Sequence, residues 1–185
     1  MARGYSVRVA KLQTLPELWL VSDERNDAKL EWALATLPKG NALVFRHYHL
    51  KDRMRRQRFD ELAPIARAGG HLMILSGEAD IAVQWGADGI YGRPGRLGTG
   101  HGLLRLATAH DAREIILANR VKADGIFLSP VFPTRSHKGE GCLGASLFRE
   151  LAALAEMPVI ALGGMNAERA RELAWPRWAA IDGLS

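Results

Sequence analysis

One cysteine, Cys142, in 185 residues leaves no partner for an internal disulfide and too few thiols for a multi-cysteine zinc site. That usage fits a reducing compartment. No apolar run approaches the roughly 20 residues that cross a bilayer; the longest, such as Ile126 to Leu128 and Pro158 to Leu162, are far shorter. Met1 to Gln13 intersperses Arg3, Arg8 and Lys11 with single apolar residues and lacks the continuous apolar block of a secretory signal. The chain is therefore expected in the cytoplasm, with no membrane partner. Proline is scarce too, at 8 residues, and with 48% apolar and 24% charged residues the composition excludes a disordered or fibrous chain. The length argues for one domain, residues 1–185.

Negative charge is nearly missing from one segment. Between Arg46 and Arg58 six cations face Asp52 alone, and this stretch accounts for the whole formal charge of +5. Such a cluster concentrates anions, whether phosphate groups or nucleic acid. Phe59, Leu62, Ala63, Ile65 and Ala66 follow at helical spacing, so the arginines mark the first turns of an amphipathic helix with a solvated face. No aromatic side chain interleaves between Lys51 and Arg58, which disfavours nucleic acid.

Eight short runs rich in branched residues recur along the chain: Leu18 to Val21, Ala42 to Arg46, His71 to Leu75, Gly89 to Tyr91, Leu103 to Ala107, Gly125 to Ser129, Pro158 to Leu162 and Trp178 to Asp182. Helical patterns at Ala28 to Leu37, Arg53 to Ala68, Glu78 to Trp85, Asp111 to Lys122, Ala145 to Glu156 and Ala167 to Ala174 separate most of them. Asp111 with Glu114, and Asn166 with Glu168, supply helix starts. Ala87-Asp88-Gly89-Ile90 is echoed by Ala123-Asp124-Gly125-Ile126 and more weakly by Ala180-Ile181-Asp182-Gly183. The alternation and the echo predict a parallel sheet closed as a compact (β/α)8 barrel. Its fourth helix should be weak, because Tyr91 to Leu103 is Gly-rich, and its eighth missing or rudimentary, because only Gly183 to Ser185 remain. The apolar face around Trp175, Trp178 and Leu184 would then need a cover, either a second copy in a homodimer or the N-terminal segment up to Leu15.

Leu18-Trp19-Leu20-Val21-Ser22-Asp23, Ala79-Asp80-Ile81-Ala82 before Gly86-Ala87-Asp88-Gly89, the loop Ser129-Pro130-Val131-Phe132-Pro133-Thr134 and Pro158-Val159-Ile160-Ala161-Leu162-Gly163-Gly164-Met165 appear in that order. From residue 17 to 183 the chain resembles the thiamine phosphate synthase superfamily, which includes the thiazole tautomerases. The resemblance implies a (β/α)8 barrel that binds phosphorylated small molecules. It implies a reaction in which hydroxymethylpyrimidine pyrophosphate loses pyrophosphate and the nitrogen of a thiazole phosphate attacks the exposed carbon. The site belongs at the C-terminal ends of the strands.

Carried over by position, the resemblance puts Arg46 on the pyrophosphate, with Tyr48 where a lysine is expected; a rim salt bridge is the other reading of Arg46. Thr108 would donate its hydroxyl to pyrophosphate or cap a helix. Thr134 and Ser136 keep two hydroxyls of the strand 6 loop, and the expected cation shifts to Lys138. Arg135, His137 and Lys138 with Gly139 and Gly141 make this loop a mobile cationic lid or a merely exposed loop. Gly163 and Gly164 would offer backbone N–H groups to a phosphate. No residue can be given a catalytic role.

The departures are as informative. The resemblance implies Mg²⁺ held by aspartates after strands 3 and 4, but those positions carry Ser76, Gly77 and Arg96 or Gly95, so no metal ligand is assigned and the arginines would neutralise pyrophosphate directly. The tautomerase histidine would fall at Pro130, which transfers no proton. Asp182 stands near a phosphate-binding serine position with no helix after it. His47 and His49 share a strand face and offer two zinc ligands with no third to assign; His71 and His110 read as neighbours of strand ends. Three functions follow: a divergent synthase with weak or absent Mg²⁺-dependent activity, a non-catalytic binder of a thiamine-related phosphate, and a basic nucleic-acid or interaction module.

Overall fold

The computed structural model describes residues 15–98, 102–135 and 141–184. Eight parallel strands close on themselves in chain order: β1 (Leu18–Val21), β2 (Ala42–Phe45), β3 (Leu72–Leu75), β4 (Gly89–Gly92), β5 (Leu104–Ala109), β6 (Gly125–Leu128), β7 (Val159–Leu162) and β8 (Trp178–Ala180). The last pairs with the first, Leu18 beside Trp178 and Leu20 beside Ala180. The helices are α1 (Leu30–Thr36), α2 (Asp52–Ala68), α3 (Ala79–Trp85), α4 (Ala112–Arg120), α5 (Gly144–Ala152) and α6 (Ala167–Leu173), with 3-10 turns at Glu24–Lys29 and Pro94–Arg96. The fold is the (β/α)8 barrel.

Side chains of opposite parity along each strand build two layers, as the period of a strand requires. Trp19, Val21, Ala42, Val44, Ile74, Tyr91, Leu106, Phe127 and Ile160 fill the barrel interior. Trp19 and Tyr91 each meet the Phe127 ring edge to face, with centroids 5.2 and 5.0 Å apart. The alternate residues, Leu20, Leu43, Phe45, Met73, Ile126 and Leu128 among them, pack outward under the helices. Both faces of each strand are thus buried, which is why the strands read in sequence as unbroken apolar runs.

The Ala-Asp-Gly-Ile echo has a physical cause. Asp88 accepts the backbone N–H of Met73 (2.9 Å), Asp124 that of Arg105 (2.8 Å), and the Asn41 side chain that of Leu18 (2.9 Å). Each acceptor precedes its own strand and satisfies a donor at the entry of the strand before it. Asp111 and Asn166 cap α4 and α6 by accepting from Glu114 N and Arg169 N, both at 2.9 Å.

The fourth helix is reduced to the turn Pro94–Arg96, and no helix follows β8 among the described residues. The face around Trp178 needs less cover than expected. Trp178 is 7% exposed within the monomer, and Trp175 and Leu184 pack on the outer layer. The Phe148 ring meets Trp175 edge to face, and Trp175 donates its indole N–H to the Val159 carbonyl (2.9 Å). No helix among the described residues is long and apolar enough to cross a membrane.

His71 ties α1 to the start of β3. Its Nδ1 accepts the N–H of Asn41 (3.1 Å), so its proton sits on Nε2 and is donated to the Leu34 carbonyl (3.2 Å). Burial lowers its pKa below the ordinary histidine value. The unfolded chain then binds the extra proton first as pH falls, and stability must drop below about pH 6.5, the ordinary value. We expect the urea midpoint of the wild type to be lower at about pH 5.5 than at about pH 7.5, and His71→Gln to shrink that difference. An undiminished difference in the variant would contradict this assignment.

Candidate functional site

At the C-terminal ends of β1, β2, β6, β7 and β8 the loops enclose a cleft of about 340 Å³. Arg46, Thr134, Gly163 and Gly164 line it, with Arg25, Arg135, Arg169 and Asp182. Thr108 lies on β5 with the interior parity of Leu106, half-buried and outside the cleft lining. Ser136 and Lys138 lie outside the described residues, as do His137 and Gly139.

Arg46 is anchored by the end of β1. Its backbone N–H donates to Ser22 Oγ (2.7 Å), its Nε–H to the Ser22 carbonyl (3.1 Å), and its terminal nitrogen to Asp23 Oδ2 (2.7 Å). Asp23 also caps the turn Glu24–Lys29 in a reciprocal box with Asn26 and accepts from Arg25 Nε (2.8 Å). Burial pushes the Asp23 carboxyl up, but the Arg25 hydrogen bonds and the charges of Arg25 and Arg46 outweigh it and hold its pKa below the usual aspartate value. Asp182 does not oppose the cleft as a lone anion, since its Oδ2 lies 3.6 Å from both Arg25 and Arg135. Arg25, Arg169 and the Asp23–Arg46 pair were not singled out from sequence; the cap spacing of Asp23 and Asn26 was the available signal.

The glycine pair zips the β6 loop onto the end of β7. Val131 N–H donates to the Leu162 carbonyl (2.9 Å) and Phe132 N–H to that of Gly163 (3.1 Å), while Arg169 donates to the Gly164 carbonyl and lies over the Phe132 ring. Gly163 and Gly164 adopt φ of 94° and 64°, and a Cβ there would meet Pro130 Cα and the Pro133 carbonyl oxygen, both at 2.6 Å. The pair therefore has a packing role beyond any anion it binds.

A second cleft, of about 300 Å³, opens over β3 and β4 and is lined by Tyr48, Ser76, Glu78, Tyr91, Arg93 and Arg96 among others. Tyr48 O–H donates to Ser76 Oγ (2.5 Å), and Ser76 in turn to the Tyr91 carbonyl (3.3 Å). Tyr91 is buried, and burial pushes its phenol up to about 12. The fit for a hard divalent cation is poor: Glu78 is the one carboxylate in this lining, and two guanidinium groups face it. No step is assigned to Mg²⁺.

The basic cluster divides, with Arg46, Arg55 and Arg58 partly buried and Lys51 and Arg53 exposed. Arg55 donates to the carbonyls of Arg46 (2.7 Å) and Ser76 (2.6 Å) and lies over Phe45 and Trp85. Arg56 pairs with Asp60 at 2.7 Å. Arg58 pairs with Asp27, Glu31 and Glu61, and its pKa rises, first through the Glu31 hydrogen bond.

Asp27 supplies the third group that the two histidines lacked: one ligand atom each from Asp27, His47 and His49 lie within 4.8 Å of one another. A metal is nonetheless disfavoured. Ser22 is wholly buried, and its Oγ, which accepts the Arg46 N–H, can send its proton only to His47 Nδ1 (2.7 Å). The His47 proton is therefore on Nε2, donated to Asp27 Oδ1 (2.8 Å). Metallating Nε2 would orphan the Ser22 hydroxyl at a cost of about 1–3 kcal/mol and set a cation against Arg58, 2.7 Å from the same carboxylate oxygen.

The model of the thiamine monophosphate synthase family matches residues 100–183. The thiamine-phosphate synthase of Methanosarcina barkeri is 27% identical over 179 residues, covering 90% of this chain and 80% of that protein. That of Methanoregula boonei is 33% identical over 129 residues, covering 61% of this chain and 56% of that protein, so the match spans little over half the relative's length. Thiamine phosphate pyrophosphorylase from Pyrococcus furiosus has the same fold, with a TM-score of 0.74 at 22% identity over 89% of this chain and 85% of that one. In sequence and in fold the chain is thus similar to thiamine-phosphate synthases.

The Gly163-Gly164 corner can be tested directly. Gly163→Ala must take a left-handed backbone and push the Pro130 backbone away, and we expect it to lose about 2 kcal/mol or more of stability by urea unfolding. A neutral substitution would show that the loop seats differently on β7.

Proposed function

We propose that the chain is a metal-independent variant of thiamine-phosphate synthase, joining hydroxymethylpyrimidine pyrophosphate to a thiazole phosphate in the cytoplasm. The observation that carries this reading is the meeting of Arg46, Thr134, Gly163 and Gly164 in one arginine-lined cleft at the C-terminal mouth. In the proposed reaction the methylene C–O bond breaks, pyrophosphate takes the electron pair, and the thiazole nitrogen forms the new C–N bond. The leaving group gains negative charge as it departs, so the site must supply preorganised donors and cations there. Arg46 stands on one side. Arg93 and Arg96, which have no ion pair within the described residues, line the second cleft. The Arg46 guanidinium lies 5.8 Å from the centre of the Tyr48 ring, which joins the two clefts. Guanidinium groups bind phosphate oxygens bidentately and stand in for the ion.

Nucleic acid is disfavoured as partner, because Arg46, Arg55, Arg56 and Arg58 bond within the chain. A homodimer is proposed through the groove of Ala170, Ala174, Trp175 and Trp178.

The test is thiamine phosphate formation by purified protein with both substrates, with Mg²⁺ or with a chelator. Expected is weak turnover that chelation leaves unchanged and that falls about a hundredfold in the Arg93→Ala/Arg96→Ala variant, equivalent to about 2.7 kcal/mol of transition-state stabilisation. Robust turnover abolished by the chelator would restore an ordinary metal-dependent synthase. Binding of a thiamine-related phosphate without turnover would favour the non-catalytic binder.

A further inference from the structure

His47 lines neither large cleft and is wholly buried, yet its backbone is left-handed at φ 44°, a costly conformation for a residue with a Cβ. Packing holds it there. Its ring stacks on Phe45 at 4.6 Å and 9°, and both ring nitrogens are hydrogen-bonded. The groups form a chain whose donors converge on Asp27: Arg46 N–H to Ser22 Oγ, Ser22 O–H to His47 Nδ1 and His47 Nε2–H to Asp27 Oδ1, the oxygen that also accepts Arg58 Nε–H. Its far end is rooted in α2 and α1, where Arg58 also donates to the Asp27 carbonyl (2.9 Å) and to Glu31. Its near end fixes the residue whose guanidinium enters the cleft.

We propose that His47 is the positioning residue of the cleft, acting through Ser22 to hold Arg46 where it meets a phosphorylated ligand that His47 itself never touches. The inference rests on the reading of Arg46 as an anion-binding residue. Ser22 holds Arg46 at two points, its hydroxyl and its carbonyl, so a change in the Ser22 rotamer moves the backbone from which the guanidinium projects. Neutral His47 supplies the acceptor that keeps this rotamer. The groups facing His47 are Asp27 from the turn after β1, Arg58 from α2 and His49 from its own loop. Burial lowers the pKa more than Asp27 raises it, which keeps the ring neutral. Protonation at acid pH would make Nδ1 a donor and leave the Ser22 proton without its acceptor, which removes the bond that keeps the Ser22 rotamer.

The test titrates inorganic pyrophosphate calorimetrically into the wild type, Arg46→Ala, Ser22→Ala, His47→Leu and His47→Asn, each checked for folding by its melting temperature. Asparagine can still present an acceptor at the Nδ1 position. Expected is a loss of about tenfold in affinity for Ser22→Ala and His47→Leu and retention within about threefold for His47→Asn. Nitrogen-15 spectra of the histidine rings should show the Nε2–H tautomer for His47 in the free protein. If the wild type binds no pyrophosphate, or Arg46→Ala binds it undiminished, the reading of the cleft fails and this proposal with it. If Arg46→Ala loses affinity while folded Ser22→Ala and His47→Leu keep it, positioning alone is overturned. An Nδ1–H tautomer overturns it irrespective of binding, and variants that lose stability with unchanged affinity reduce His47 to a structural role.

Discussion

The pairing of β8 with β1 is the constraint on which the site depends. In an open sheet those strands would be opposite edges, and the loops after β1 and β2 would lie far from those after β7 and β8. Closure brings Arg25 and Arg46 from one group into the same cleft as Gly163, Gly164 and Asp182 from the other. The Asn26 amide reinforces the seam above the strands by donating to the carbonyls of Val21 (3.0 Å) and Ile181 (2.9 Å). The interior is filled by three large rings, Trp19, Tyr91 and Phe127, beside the branched residues that usually dominate a barrel core, Val21, Val44, Ile74, Leu106 and Ile160. A chain with six of its eight strands only four residues long thereby obtains a complete barrel.

Charge at the mouth follows from the same geometry. Several guanidinium groups converge, and repulsion among them is moderated by the chain's own carboxylates: Asp23 between Arg25 and Arg46, Asp182 between Arg25 and Arg135. These pairs are partly exposed, so each adds little to stability. Their effect is on position. They hold arginines at the rim in fixed positions, which suits an arriving phosphate better than mobile side chains would.

Much of the architecture was legible because barrel strands are buried on both faces and appear as apolar runs; Leu18 to Val21 coincides with β1 residue for residue. The weak fourth helix was legible from the Gly-rich stretch Tyr91 to Leu103, whose described residues form only the turn Pro94–Arg96. The site was legible only in part. Arg46 and the Gly163-Gly164 corner stand at strand ends, where register alone places them. Asp27 as the partner of His47 was not visible, because twenty residues and a left-handed turn separate what the fold brings to 2.8 Å. Asp182 looked like a charge facing an anion, since nothing in its neighbourhood along the chain announces Arg25 or Arg135 across the mouth. The partners of Arg55 and Arg58 were hidden for the same reason: their acceptors, Asp27, Glu31 and the Ser76 carbonyl, belong to other βα units.

The central claim is that the C-terminal mouth of this barrel binds a diphosphate through arginines without a divalent ion. A crystal structure grown with inorganic pyrophosphate in the presence of a chelator tests it most directly. The account predicts diphosphate density at the mouth, bonded by Arg46 and by Arg93 or Arg96, with no metal between it and the protein. Density that appears only when Mg²⁺ is supplied, bridged to the protein through the ion, or a diphosphate bound away from the mouth, would contradict it.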